Sequence, residues 1–299
     1  LDLPFEMYSQ NSVAKFQARK EIERALREVL AYRIYHDLRR GWRVTAPNLE
    51  QCGLLEIDYE SLEDLCRAEE EWQGLHPALV GARPDTRLAI TRVLLDFLRR
   101  ELALRVNCLD FDEQERIKAL SSQRLREPWA IDERELMATA GAAYPRPKRH
   151  GETDDDVYVS SRGGYGQYLR RSRVFPDYHE PLKTADTDTI IPQVFEVLRV
   201  AGLVERVHEP EGQDAVPGYQ VPASALIWRA GDGTRPYHDP IRVPSMSEAG
   251  AGTNRYFVRH YTEIAAKLKG IEGREHTAQV PHKERQDREN DFRPGRLPV

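Results

Sequence analysis

The sequence predicts an α+β protein, mostly α. Three observations lead there. Apolar residues recur every three or four positions along most of the first 140 residues. After Thr187 another such segment runs directly into the alternating Leu203–Val207 and a return segment at Tyr219–Val221. Between Tyr256 and Val299 helix and strand signals alternate at the spacing of an α/β crossover. The predicted order is a helical bundle, a helix-and-hairpin module, then the opening units of an α/β domain.

Composition narrows the class. The chain has 299 residues, 40% hydrophobic and 31% charged, enough for about two or three modules. No apolar run approaches the ~20 residues a membrane-spanning helix needs, so no membrane partner is expected. The first residues are acidic and amphipathic rather than basic then apolar, which argues against a secretory signal and for a cytoplasmic location. Cys52, Cys66 and Cys108 show no metal-ligand spacing and read as buried thiols. Net charge is −5, so any nucleic-acid surface must be a local patch.

The first module spans residues 1–143. Ile22, Ala25, Leu26, Val29, Leu30, Ile34 and Leu38 form one stripe of a helix over residues 9–38, with mixed charge opposite. Gly41 is the expected stop. Arg39, Arg40, Trp42 and Arg43 offer a nucleic-acid contact, or a cationic helix end with a packed Trp; the second is the favoured reading. Residues 47–59 read as a loop and a short apolar segment. Ser61 with Asp64 forms an S-x-x-D capping signal for the next helix, and residues 76–84 a turn. A long helix is expected over residues 85–104, a third over 111–126 and a short fourth over 131–140. The acids from Asp112 to Glu115 imitate a helicase box, but they begin a helix, where acids suit the N-terminus.

Residues 144–155, with Pro145, Pro147, Lys148, Arg149 and a run of Asp, read as a linker. The second module spans 156–230. Val157–Val159 is a strand candidate. Gly163, Gly164 and Gly166 suggest a turn, since they lack the Gly-Lys-Ser/Thr ending of a P-loop. Arg170, Arg171 and Arg173 beside Tyr165 and Tyr168 form a candidate basic patch for nucleic acid. Ile190, Ile191, Val194, Phe195, Val197 and Leu198 define a helix that Gly202 ends, and Pro192 implies that its start is near. The helix, the strand at 203–207, a polar excursion and the strand at 219–221 resemble a winged-helix module. Residues 226–228 read as a further strand, and 231–253 as a second linker. His238 beside Asp239 lacks a nucleophile motif and reads as a loop His.

The third module spans 254–299. Phe257, Tyr261, Ile264, Ala265 and Leu268 define a helix that Gly270 stops. The stretch EHTAQVPHKERQDRENDFRPGRLPV resembles the motif IV region of the second RecA-like domain of superfamily 2 DEAD/DEAH-box helicases. His276-Thr277-Ala278-Gln279 stands at the family's His-His-Gly-Ser-like turn, Glu284-Arg285 in the helix after it, and Phe292-Arg293-Pro294-Gly295 at that helix's end. Ala278, Gln279 and Pro281 depart from the family's Gly, Ser and Ser. Gln279 and backbone N–H groups are then left to make the strand-phosphate contact usual for a hydroxyl. The resemblance makes His276, Thr277 and Gln279 candidate nucleic-acid contacts.

LAYRIYHDLRRGWRVTAPNLEQCGLLEIDY and GYQVPASALIWRAGDGTRPYHDPIRVP are similar to the middle of very large bacterial helicases of anti-phage systems such as Druantia and DISARM. The resemblance implies an internal piece of an ATP-dependent DNA helicase. Its motif I Lys, motif II acids and arginine finger, and so the ligands of ATP and Mg²⁺, would lie outside this stretch. Expected partners are single-stranded or forked DNA and defence-system proteins. The competing expectation is a non-catalytic winged-helix adaptor that binds nucleic acid or protein.

Overall fold

The computed structural model describes residues 16–39, 46–127, 129–152, 155–210, 215–243 and 252–264, with Lys283, Gln286 and Asn290 as isolated helical positions. The fold is α+β, with more helix than strand and a small mixed sheet. Gly41, Trp42 and Arg43, and the stretch carrying His276, Thr277 and Gln279, lie outside the described residues. No helix among the described residues is long and apolar enough to cross a membrane.

Helix α1 (Phe16–Asp37) buries Ile22, Ala25, Leu26, Val29, Tyr32 and His36. Its inward stripe ends on Tyr32 and His36, whose rings stack at 5.4 Å, while Ile34, expected inside, is 41% exposed. Strand β1 (Leu55–Tyr59) follows. Helix α2 (Leu62–Arg67) starts at Ser61, but Ser61 sits at φ 53° and caps nothing with its side chain. The S-x-x-D signal is therefore silent here: a left-handed Ser does not aim its hydroxyl at the first-turn N–H groups. Within the expected turn at 76–84 lies a one-turn helix α3 (Pro77–Val80), capped by His76 Nδ1, which accepts from Ala78 N at 3.2 Å.

Helix α4 (Pro84–Arg100) stops four residues earlier than its apolar pattern suggests. Leu102 adopts φ 61°. Ala103 N then donates to Leu98 O at 2.9 Å and Leu102 N to Arg99 O at 3.1 Å, the double closure that normally uses Gly. Leu102 is 2% exposed, and that burial holds a leucine in a region leucine disfavours. The early stop frees β2 (Leu104–Arg105) to pair in parallel with β6 (Gly218–Pro222).

Helix α5 (Phe111–Arg124) packs on α1 and is capped by Asp110, whose Oδ1 accepts from Glu113 N at 3.1 Å. The acids at 112–115 do begin a helix. The helix expected over residues 131–140 is absent. Ala138 N donates to Tyr32 Oη at 2.9 Å, Gln114 Nε2 to Ala138 O at 2.6 Å, and Ala140 N to Leu109 O at 2.9 Å. With these backbone groups engaged by neighbouring elements, a helical ladder has no claim on them.

Residues 144–155 connect two paired strands, β3 (Ala143–Tyr144) and β4 (Val157–Tyr158). The glycines at 163–166 open a helix, α6 (Gly164–Leu169), instead of forming a turn. Helix α7 (Thr184–Val200) begins earlier than expected and carries Pro192 inside it, on the exposed side where water can serve the freed carbonyl. Gly202, at φ 73°, ends it: Leu203 N reaches Leu198 O at 2.8 Å. Strand β5 (Glu205–His208) pairs antiparallel with β6, and β7 (Leu226–Ala230) pairs antiparallel with β1.

One buried cluster runs from Ile22 to Leu226. Residues 231–243, expected as a linker, pack back over it. Gly231 N donates to Leu54 O at 3.0 Å, Tyr237 N to Glu50 O at 2.9 Å, and the Arg100 guanidinium lies 4.3 Å from the Tyr237 ring centre. Helix α8 (Arg255–Arg259) and a π-helical turn (His260–Ile264) follow, anchored by Tyr261 Oη donating to Pro47 O at 2.9 Å.

Candidate nucleic-acid interface

The registers of four short strands define the site. Arg206 stands opposite Tyr219, Ala143 opposite Tyr219, and Ala143 opposite Val157. Successive side chains alternate between the faces of a strand. On the inner face Tyr219, Ala143 and Val157 are buried, with the Tyr219 ring 5.0 Å from Phe195 of α7. The other face carries the next row: His208, Gly218, Tyr144, Tyr158. A bulge between Arg206 and His208 sets His208, rather than Val207, against Gly218.

Three of those four residues are aromatic. Tyr144 and Tyr158 stack at 5.8 Å between ring centres with planes 18° apart, and Tyr144 and His208 at 6.4 Å and 12°. Gly218 makes the row possible. A Cβ there would stand 3.0 Å from Tyr144 Cε1 and 3.1 Å from Ala142 Cβ. His208 is exposed, and Tyr144 and Tyr158 are half-buried.

Cations lie over these rings. The Arg146 guanidinium is 5.1 Å from the Tyr144 centre and 5.2 Å from Tyr158, and Lys148 Nζ is 6.0 Å from Tyr158. Arg146 is held by Glu152 through two parallel bonds, Nη1 to Oε2 at 2.9 Å and Nη2 to Oε1 at 2.6 Å. Arg149 N also donates to Glu152 Oε2, at 2.7 Å. Arg146 and then the Arg149 N–H hold the Glu152 carboxyl down at about 2. Partial burial, with the charges of Glu152 and Asp156, pushes the Tyr158 hydroxyl up to about 12. Exposed Arg149 and His150 extend the basic run, against Asp155 and Asp156 on the return; Asp156 Oδ1 accepts from Ala142 N at 2.8 Å. Aromatic rings and cations side by side are the side-chain types that single-strand surfaces combine.

The basic patch expected at Arg170, Arg171 and Arg173 is built differently. Arg170 Nη1 donates to Ser161 O at 2.5 Å and Thr187 Oγ1 at 3.0 Å. Arg171 donates to Pro240 O, and to Ile241 O at 2.8 Å. Both tie α6 to neighbouring segments, and of the three only Arg173 is exposed. His276, Thr277 and Gln279 lie outside the described residues. Sequence reasoning passed over the row at Tyr144, Tyr158 and His208. Its one local signal is the aromatic-headed basic run Tyr144, Arg146, Lys148, Arg149, His150, the composition singled out at Arg39–Arg43.

An open cleft of about 410 Å³ is lined by Leu104, Arg105, Asn107, Phe111, Thr139 and Gln220 among others. A buried network joins Arg99 to Glu50 at 2.8 and 3.0 Å and to Asp96 at 3.1 Å, with Tyr59 Oη donating to Asp96 at 2.8 Å. Asp239, beside His238, pairs with Arg100 at 3.5 Å and accepts from Ile241 N at 3.0 Å. Among the described residues no group of three His, Cys, Asp or Glu could hold a metal ion. Comparison with known protein families, with curated proteins and with solved structures returned no match.

Proposed function

We propose that this chain guides a single nucleic-acid strand, DNA in the first instance, within a larger ATP-driven helicase or translocase. The observation that carries the strand-guiding part is the row His208, Tyr144, Tyr158 under Arg146 and Lys148. Rings accept any base by stacking, and cations neutralise the backbone, so such a surface holds a strand without reading its sequence. The motor part rests on the resemblance of the C-terminal stretch to motif IV of a RecA-like domain. Helix α7 with β5 and β6 would serve as its winged-helix-like module. ATP and Mg²⁺ would be held by residues of the motor outside this chain, and a role in anti-phage defence rests on the same resemblance.

The test is direct. Binding of a labelled oligonucleotide is measured by fluorescence anisotropy for the wild type, Tyr144→Ala and Tyr158→Ala. Each ring is expected to contribute about 1–3 kcal/mol; unchanged affinity in both variants removes the reading. DNA-stimulated ATP turnover by the full-length protein tests the motor part.

A protein-docking adaptor is the second reading. It is favoured by Phe111, 68% exposed at the rim of the open cleft. A Phe111→Ser variant that loses a protein partner while keeping DNA affinity would support it.

A further inference from the structure

We propose that Glu152 occupies, in the free protein, the place of a backbone phosphate on Arg146, and that a bound strand displaces it. The proposal rests on the strand-guiding reading.

Glu152 sits in a ready-made anion site. The Arg146 guanidinium presents two parallel N–H donors at 2.9 and 2.6 Å, the fork geometry that fits a carboxylate and a phosphate equally. The Arg149 N–H adds a third donor at 2.7 Å, and the Tyr158 hydroxyl reaches the same carboxylate. This site stands beside the stacked rings, since the same guanidinium lies about 5 Å from both Tyr144 and Tyr158. A strand whose bases lie on the row would carry its phosphates along this edge.

The occupant is replaceable. Glu152 belongs to the loop between β3 and β4, and its side chain is 25% exposed, so it can swing into water without opening the core. Arg146 too keeps water access, at 15%, so an anion of the strand can replace the carboxylate on the fork without a cavity opening. The carboxylate therefore acts as an internal competitor: it neutralises Arg146 when no strand is bound and lowers affinity for stray anions.

Oligothymidylate binding is measured for wild type, Glu152→Gln and the double variant Arg146→Gln/Glu152→Gln across a salt series. Glu152→Gln is expected to bind severalfold tighter at low salt, because the strand no longer competes with a carboxylate for the Arg146 fork. Its log affinity should fall more steeply with log salt by about 0.7, one extra single-strand phosphate contact. The double variant should lose that gain. A gain that survives in the double variant, or no gain in Glu152→Gln, overturns the proposal. Where the wild type binds in a Tyr144- and Tyr158-dependent way and Glu152→Gln shows no gain, the strand-guiding reading stands and this one falls. Where no protein binds, both fall. A second measurement needs no variant. The Glu152 carboxyl carbon, followed by NMR, should titrate near 2 in the free protein and closer to its ordinary 4.5 with saturating oligonucleotide. An unmoved titration overturns the displacement.

Discussion

Tyr144 and His208 stack at 6.4 Å across Gly218, the one residue in their row without a side chain. The contact joins β5 to β3 over the middle strand β6, so a single glycine sets the continuity of the aromatic face.

Gly218→Val is expected to break that continuity. Its Cβ would meet Tyr144 and Ala142 at about 3 Å, and overpacking of this kind costs about 1–3 kcal/mol. Thermal melts should report a modest loss of stability. Anisotropy should report weaker oligonucleotide binding than stability alone explains.

Arg171→Ala separates structural from nucleic-acid roles in the cluster at residues 170–173. Its bonds to Pro240 and Ile241 carbonyls are charge-assisted, worth about 1.5–3 kcal/mol. The variant should unfold at lower urea, while the salt dependence of DNA binding stays that of the wild type. A flatter salt slope would return Arg171 to the phosphate-contacting set.

Arg99→Ala should be the most destabilising of these changes. Arg99 and Glu50 are 2% and 3% exposed, and removal of one partner leaves buried carboxylates unpaired, at a cost of about 3–5 kcal/mol. Urea denaturation would check this. Replacement of the wider network by well-packed apolar residues should cost far less.

Acid should loosen the β3–β4 loop late. Glu152 is held at about 2 in the folded state against an ordinary 4.5. A depressed carboxyl contributes stability above its unfolded value and loses it as pH falls through its folded value. The contribution is complete above pH 4.5 and disappears toward pH 2. Amide exchange of residues 146–152, compared between wild type and Glu152→Gln over that window, should show the acid-dependent opening in the wild type alone.

The three thiols should be inert in the native state. Cys52, Cys66 and Cys108 are buried and form no disulfide, and burial pushes Cys108 up to about 11. An aromatic disulfide reagent at pH 8 should react slowly with native protein and fully in denaturant.

The sequence by itself determined α1, α4, α5 and α7, because helical periodicity is local and each of these helices buries its own stripe. It also marked the Gly202 stop and the hairpin that follows. It missed the end of α4, where the apolar pattern continues to Leu104 but burial of a left-handed Leu102 turns the chain. It placed a helix over residues 131–140, whose backbone groups are instead engaged by α1, α5 and Leu109. It placed linkers at 144–155, which lies between two paired strands, and at 231–253, of which residues 231–243 meet Leu54, Glu50 and Arg100.

Beyond the basic run headed by Tyr144, the candidate site was decided by tertiary structure. Strands of two residues, such as β3 and β4, carry no period to read. His208, Gly218, Tyr144 and Tyr158 come together through register, a bulge and a missing side chain. A register is a property of pairs of strands distant in sequence, and a slip of one residue turns every side chain to the other face. No single segment records that choice, so only the folded sheet makes it.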